Sequence, residues 1–428
     1  MNMIGFCGLS HLGIVSGIAV ASKGFDVVAF DANAGLTAAL SKGDLPVHEP
    51  DLPQLLDKSS KHIRFTSILG DLAKCDLVYI SLDVKTDLNN VSDLSGLTAL
   101  IDPLVDTMKA DAVLVILSQV PPGFTRRLAQ KYCDRKIQVY GQVETLIFGR
   151  AVERALHPER YIVGCADPSK SLPDVFKKIL SAFDCPILPM RYESSELAKI
   201  SINMFLVSSV STTNTLAELC EAIGAEWAEI APALRLDKRI GPHAYLGPGL
   251  GIAGGNLERD LATISSLSKE FGTDAGIVDA WVANSRYRCD WALRTAHREV
   301  FAKIEAPVVG ILGIAYKQDT KSVKNSPSLV LIQGLGTISM RAYDPQVVLR
   351  SENLSTNLKQ VDSALEACRG ADTVILMTPW KEFYGTDIAE MKKLMRGKTV
   401  IDPHGILNPE DCKKAGLKYF RLGTGASC

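Results

Sequence analysis

The sequence predicts an α/β protein built from two Rossmann-like, doubly wound domains joined by a long central helix. Three observations predict it. Short apolar runs suited to buried parallel strands recur in both halves, starting at Met3–Cys7 and again at Val308–Ala315. A glycine turn and a helical stretch follow the first of these runs. Between the halves a helical pattern runs from Glu193 to about Ile223, with Leu197, Ile200, Asn203, Met204 and Leu206 at helical spacing. A chain of 428 residues has room for about two to three domains. The expected divisions are 1–190, 191–304 and 305–428: an α/β domain, a central helical region and a second α/β domain.

In chain order, Met3–Cys7 is followed by GLSHLG (Gly8–Gly13), a helical stretch Ile14–Ser22, the strand Asp26–Phe30 and then Asp31. Strand, glycine turn, helix, strand and acid is the order of a dinucleotide-binding unit. Gly8 permits the tight turn, and Gly13 lets the helix pack on the strand. The helix N-terminus faces the pyrophosphate. An acid about 20 residues further on binds both ribose hydroxyls and repels a 2′-phosphate, so Asp31 favours NAD over NADP. Ser10 stands at the middle glycine position, where a side chain hinders close approach of the backbone. A glycine turn in another α/β fold is the bland alternative.

Further strands are expected at Asp76–Leu82, Ala112–Val120 and Ile137–Val143, with helical segments between them. Ligands of doubly wound sheets collect at the carboxyl ends of strands. Those ends carry Asp83, Gln119 and Glu144. On the long helix, Lys199 and Asn203 lie four residues apart and share a face. A surface lysine beside a core asparagine fits that spacing. So does a cationic donor and an amide donor aimed at one oxygen. Such a helix is also a natural dimer spine.

Tyr245–Leu261 reads YLGPGLGIAGGNLERDL and carries five glycines before the charged exit Glu258, Arg259 and Asp260. Bare backbone presses close to a ligand. The apolar residues between the glycines set it apart from a flexible Gly/Ser spacer. After a helical region to about Ile304, the second α/β domain is expected. Its strands are Val308–Ala315, Met340–Pro345, Asp372–Pro379 and Lys398–Pro403, with a helix at Ser328–Leu335.

Composition narrows the function classes. Apolar and charged fractions of 46% and 22% are those of an ordinary globular protein. A formal net charge of −1 gives no reason to expect nucleic acid or a membrane surface as partner. No apolar run approaches the roughly 20 residues needed to cross a bilayer. The apolar N-terminus lacks a basic leader, which argues against a secretion signal. Ten cysteines without a CxxC pair read as the reduced thiols of a cytoplasmic protein, mostly small core residues. Seven histidines show no ligand spacing, and no metal is expected.

Four segments, taken together, resemble the UDP-glucose/GDP-mannose dehydrogenase family over nearly the whole chain. GDLPVHEPDLPQLL (Gly43–Leu56) is similar to its GxxPxxEPxLxxLL segment, and ELAKISIN (Glu196–Asn203) to its ELxKxxxN helix. RIGPHAYLGPGLGIAGGNLERDL (Arg239–Leu261) resembles its RIG…GxGxGGxCxxKD loop, and GIAYKQDTKSVKNSP (Gly313–Pro327) the start of its C-terminal domain. The resemblance implies that residues 1–190 bind NAD, 191–304 form a dimerisation region with the substrate loop, and 305–428 bind a nucleotide sugar. It implies two successive oxidations at carbon 6 of a hexose. Lys199 and Asn203 would stabilise the alkoxide, with Glu144 and Asp260 as the acidic residues of the site. Arg239 and Lys317 would reach the sugar nucleotide, as would the loop residues Tyr245, Gly249, Gly251 and Gly254. Gly8, Ser10, Gly13, Asp31, Gln119 and Lys324 would hold the cofactor.

The departures from the family pattern bear on the chemistry. Asn256 falls where the family has its nucleophilic cysteine. The second oxidation needs a thiolate to trap the aldehyde and form a thioester. A carboxamide only donates and accepts hydrogen bonds. Gln119 replaces the threonine of STVPxGT, and Phe148 the second acid of PEFLxEG. Residues around Asp83–Lys85 replace a GTP segment, Lys324 the arginine of DDxR, and His404 the arginine of DGR. Lysine keeps the charge but loses the guanidinium fork.

The sequence thus points to an NAD-dependent, homodimeric nucleotide-sugar dehydrogenase. It would take two electrons from a UDP-hexose-like substrate in polysaccharide or glycoconjugate biosynthesis. Three other readings stay open. One is a catalytically silent nucleotide-sugar-binding homologue. Another is full oxidation to a uronate through an aldehyde hydrate, with Glu144 or Asp260 activating water. The third is a hydroxyacid dehydrogenase without a nucleotide substrate.

Overall fold

Runs of Val, Ile, Leu and Phe too short for helices form the strands of two sheets. The computed structural model describes residues 2–87, 89–349 and 357–425. The chain divides into two compact units, Met1–Ile202 and Asn203–Cys428.

The first unit holds an eight-stranded sheet. Its order is Ile187–Arg191, Tyr161–Cys165, Gln138–Gln142, Val113–Ile116, Leu77–Ile80, Met3–Cys7, Asp26–Phe30 and Ile63–Thr66. From Ile63–Thr66 back to Gln138–Gln142 this is the strand order of the dinucleotide fold, with its reversal between Met3–Cys7 and Leu77–Ile80. Alternate side chains feed two apolar layers. Phe6, Tyr79 and Val115 pack with Phe176 on one face, while Val28, Ile80 and Leu114 pack with Ile101 on the other. Burial on both faces explains why these strands read as continuous apolar runs.

One neighbouring pair departs from the expected all-parallel sheet. Gln138–Gln142 and Tyr161–Cys165 are antiparallel. The connection between them carries only the six-residue helix Ala151–Leu156. The chain therefore re-enters the sheet at the end it left. The strands are also shorter than their apolar runs. Past Ile116 the amides of Leu117 and Ser118 both turn onto Ile80 O, which ends the ladder.

The helix Tyr192–Ile223 starts in the first unit and ends in the second. Helices Trp227–Leu236, Asn256–Phe271, Gly276–Cys289 and Trp291–Ala296 follow. The second unit closes on a six-stranded parallel sheet. Its order is Leu358–Gln360, Ser339–Tyr343, Val308–Leu312, Thr373–Leu376, Thr399–Ile401 and Lys418–Phe420. Among the described residues, no helix is long and apolar enough to cross a membrane. Nor is any group of three or more His, Cys, Asp or Glu placed to hold a metal ion.

Candidate active site

The glycine turn opens the helix His11–Ser22. Gly8 has φ 98°, which favours glycine. A Cβ on Gly13 would lie 2.0 Å from Gly8 O, so the helix start is pressed onto the turn. Asp31 accepts from the Leu9 and Asn33 amides, each at 2.9 Å, which sets its carboxylate beside the turn. These features fit a dinucleotide. Ser10 is used locally: its hydroxyl donates to Ser81 O at 3.1 Å and accepts from the Asp83 amide at 2.8 Å.

His11 and Glu49 were not foreseen as neighbours of this turn. His11 Nε2 lies 2.8 Å from Glu49 Oε1, and its ring packs 4.2 Å from that of Phe148. Glu49 is buried and also accepts from the Gly149 and Ala151 amides at 3.0 Å. Its one signal in the sequence is its place in the VHEP segment.

Lys199 and Glu144 meet at the carboxyl end of Gln138–Gln142. Lys199 Nζ lies 2.8 Å from Glu144 Oε1 and 3.1 Å from Glu144 O. Glu144 Oε2 accepts from the Leu146 amide at 3.0 Å. Glu196, one turn earlier on the helix, is buried and accepts from the Gly123 and Thr125 amides. It anchors the helix to the start of Phe124–Lys131. Burial pushes the Glu196 carboxyl up against the pull of those bonds. A cavity of about 30 Å³ is lined by Gln119, Thr125, Gln142, Glu144, Glu196 and Lys199. Thr125 Oγ1 and Gln142 Oε1 are buried without a hydrogen-bond partner. The volume holds a water molecule or two.

In the second unit, Asn203 Nδ2 donates to Asp260 Oδ2. Asp260 is only 1% exposed, and Arg259 Nε lies 3.3 Å from its Oδ1. The glycine loop is pinned along its length. The Gly249 amide donates to Asn214 Oδ1 at 2.8 Å, and the Ile252 amide to Ser285 Oγ at 2.7 Å. Asn325 Nδ2 donates to Gly254 O at 2.7 Å. Gly251 and Gly254 have positive φ, and a Cβ on Gly254 would lie 2.9 Å from the Tyr316 ring. Tyr316 and Asn325 are loop partners that the sequence reading missed.

Asn256 is the first residue of the helix Asn256–Phe271 and is exposed. Helical spacing puts Asn256 and Asp260 on one face and Glu258 on the opposite one. Glu258 Oε2 is buried without a hydrogen-bond partner. Burial pushes its carboxyl up to about 7, against Lys324 and Arg286. Tyr245 is half exposed, and its carbonyl accepts from Thr213 Oγ1. Lys317 Nζ lies 5.8 Å from the Tyr316 ring centre. The Arg239 side chain is 89% exposed and, among the described residues, pairs locally with Asp237 at 2.7 Å; it is not gathered with Asn203 and Asp260. His404 Nε2 donates to Met377 O at 3.1 Å, and burial lowers its imidazole pKa.

A dinucleotide turn followed by a lysine–carboxylate pair defines an NAD-dependent oxidoreductase. Comparison with known proteins gives its family. Residues 2–184 match the NAD binding domain of the UDP-glucose/GDP-mannose dehydrogenase family, 193–286 its central domain, and 310–409 its UDP binding domain. The chain belongs to that family and acts on a nucleotide sugar. It is similar to the UDP-glucose 6-dehydrogenase of Rickettsia bellii (strain RML369-C), with 28% identity over 98% of this chain and 99% of the relative. It is also similar to UDP-glucose 6-dehydrogenase TuaD of Bacillus subtilis (strain 168), with 25% identity over 100% and 94% of the two chains. In fold it matches a UDP-glucose dehydrogenase from the archaeon Pyrobaculum islandicum, with TM-score 0.86, 24% identity, and 100% and 98% coverage.

Proposed function

We propose that the protein oxidises one alcohol of a UDP-hexose-like sugar by two electrons, giving an aldehyde or ketone. Bound NAD supplies the hydride acceptor. The single observation that carries the reading is Asn256 at the helix start, where a thiolate would be needed for the second oxidation.

The surrounding residues support it. Cys289 is the closest downstream cysteine in sequence, and its thiol donates to Leu250 O at 3.0 Å. Burial pushes that thiol up to about 11, so it supplies no thiolate at neutral pH. Upstream, Cys220 is buried, and its pKa is raised by that burial. The two acids that the resemblance places at the site are both engaged. Asp260 holds Asn203 and Arg259, while Glu144 holds Lys199 and the Leu146 amide.

Lys199 has three N–H donors, two of them directed at Glu144. The third, with the Asn203 amide, faces the carbinol oxygen and stabilises it as it loses its proton to water. Gly8, Ser10, Gly13, Asp31, Gln119 and Lys324 hold NAD. Tyr245, Gly249, Gly251, Gly254, Lys317 and Arg239 hold the nucleotide sugar. The working divisions are 1–190, 191–304 and 305–428. The protein works as a cytoplasmic homodimer. Phe205, Leu216, Leu219 and Ile223 support this by exposing one apolar stripe along the central helix. The deciding measurement is NADH formed per substrate together with product mass. One equivalent and an aldehyde or ketone is expected; two equivalents and a uronate would remove the two-electron reading.

A further inference from the structure

The central helix ends at Ile223, and Gly224 turns the chain with φ 76°. Trp227 then opens the helix Trp227–Leu236. The first N–H groups of a helix have no partner inside it. The Trp227 N–H finds one in Gly423 O at 2.9 Å, just past the strand Lys418–Phe420 of the second sheet. Residues Arg421–Gly425 lie across the turn. Glu226 and Thr424 form an antiparallel bridge, and the Gly425 amide donates to Ala225 O at 3.2 Å. Arg421 Nη2 donates to Glu226 Oε1 at 2.8 Å, and its Nε to Thr424 Oγ1 at 3.1 Å. The Gly423 amide donates to Glu221 Oε1 at 2.9 Å. Glycine is required for this approach: Gly423 has φ 73°, and a Cβ there would lie 2.8 Å from Trp227 Cβ.

The other side of Trp227 meets the glycine loop. Its indole Nε1 donates to Leu246 O at 2.7 Å. Trp227 is 4% exposed and packs with Ala217, Cys220, Ala231 and Leu246. Leu246 leads directly into Gly247, Pro248 and Gly249, and the next anchor is the Gly249 amide on Asn214 Oδ1. A Cβ on Gly247 or Gly249 would meet nothing within 4 Å, and neither residue has positive φ. Neither packing nor backbone conformation therefore calls for glycine at these two positions. Bare backbone beside open space is what close approach of a ligand calls for.

We propose that Trp227 is a positioning residue for nucleotide-sugar binding: it sets the entry of the loop through Leu246 O and is itself clamped by Arg421–Gly425. The proposal rests on the reading of this loop as the part that holds the nucleotide sugar. A shift of the Gly423 backbone moves Trp227, and with it the carbonyl from which Gly247–Gly249 hangs. The second sheet and the loop thus share one support. A buried tryptophan that only fills space gives a competing account, in which its loss lowers stability and leaves the affinity of the folded protein alone.

The test uses the full chain, with UDP and UDP-glucose as calorimetric probes and thermal melting alongside. Trp227→Phe keeps a ring and removes the N–H. It is expected to weaken UDP-glucose binding on the order of tenfold, the size of one hydrogen bond. NAD affinity should hold, and hydrogen exchange at residues 246–249 should quicken. Gly423→Ala presses a methyl onto Trp227 and should weaken UDP-glucose as well. Should that variant fail to fold, Arg421→Met, which releases Glu226 and Thr424, takes its place. In the Trp227→Phe background either change should cost less than it does alone, since both act through one indole. Losses that add in full would overturn the clamp. A folded Trp227→Phe with wild-type affinity for both probes would overturn the positioning role and leave Trp227 a core residue. Gly249→Ala checks the loop by itself: its methyl enters open space, so melting should hold while UDP-glucose binding weakens. Equal binding by Gly249→Ala and wild type, or no binding of either probe to the wild type, would overturn the reading of the loop and the proposal with it.

Discussion

Replacing Lys199 by alanine removes the donor proposed for the carbinol oxygen and leaves Glu144 without its ion pair. Losing one donor to a developing oxyanion costs about 10²–10³ in kcat. Lys199→Ala should therefore lose that much kcat with NAD affinity nearly unchanged; a loss below about tenfold would remove Lys199 from the reacting centre. Asn256→Cys makes the converse test. A thiol at a helix start is acidified by the positive end of the helix. The variant should be alkylated by iodoacetamide near neutral pH and should move NADH yield from one toward two per substrate. A readily alkylated variant that still yields one equivalent would mean the aldehyde is never presented to position 256. Glu258 gives a pH prediction. Its folded pKa, about 7, lies above the ordinary carboxylate value of 4.5 because of burial. Its neutral form is thus favoured in the fold, fully so below pH 4.5, and that stability is lost as pH rises through 7. Glu258 is partly open to solvent, so the effect is on the order of 1 kcal/mol. Glu258→Gln should flatten the fall in melting temperature between pH 5 and 8, and an equal slope in wild type and variant would dismiss it.

At the scale of elements, the glycine loop is a fixed structure and not a tether. Gly254 has φ 90° and packs on Tyr316. Gly254→Ala should cost about 1–3 kcal/mol and weaken UDP binding before NAD binding. An unchanged melt and UDP affinity would show that the loop tolerates a side chain there. The exposed stripe of the central helix predicts that Phe205→Asp lowers self-association in sedimentation without lowering monomer stability. A chain already monomeric in the wild type would end the dimer proposal. Most central strands, the glycine turn and the long helix were legible because burial on both faces or along one stripe writes a strong periodic signal; Tyr161–Cys165, buried inside the first sheet, was missed because its short apolar stretch is broken by Gly164. The strands Ile63–Thr66, Ile187–Arg191 and Lys418–Phe420 were not legible either. They lie at sheet edges, and their half-exposed residues break the apolar run. In the site, Lys199, Asn203 and Asp260 could be read from spacing and resemblance. Glu49, Tyr316 and Asn325 could not, since their importance lies in partners about 50 to 100 residues away that no local pattern reports.

At the scale of the whole molecule, the pairs Lys199–Glu144 and Asn203–Asp260 fall in different compact units, yet Lys199 and Asn203 stand on one helix. Four residues of helix fix them about 6 Å apart along its axis. A helix of 32 residues whose first third belongs to one unit and whose remainder belongs to the other has an energetic consequence. Unfolding either unit strips the packing from part of that helix, and the rest is then a shorter helix with a frayed end. Loss of one unit should therefore destabilise the other, and thermal unfolding should be a single transition. A ligand of either unit would then raise the whole transition by RT ln(1 + [L]/Kd), about 2.7 kcal/mol at a hundredfold excess over Kd. NAD and UDP, added separately in calorimetry, are each expected to shift one common peak. Hydrogen exchange should still localise their direct protection to residues 2–184 and 310–409, the ranges that match NAD and UDP binding domains. Two separate peaks, one moved by NAD and the other by UDP, would show that the shared helix does not couple the units. The geometry of Lys199 and Asn203 would then depend on the helix backbone alone.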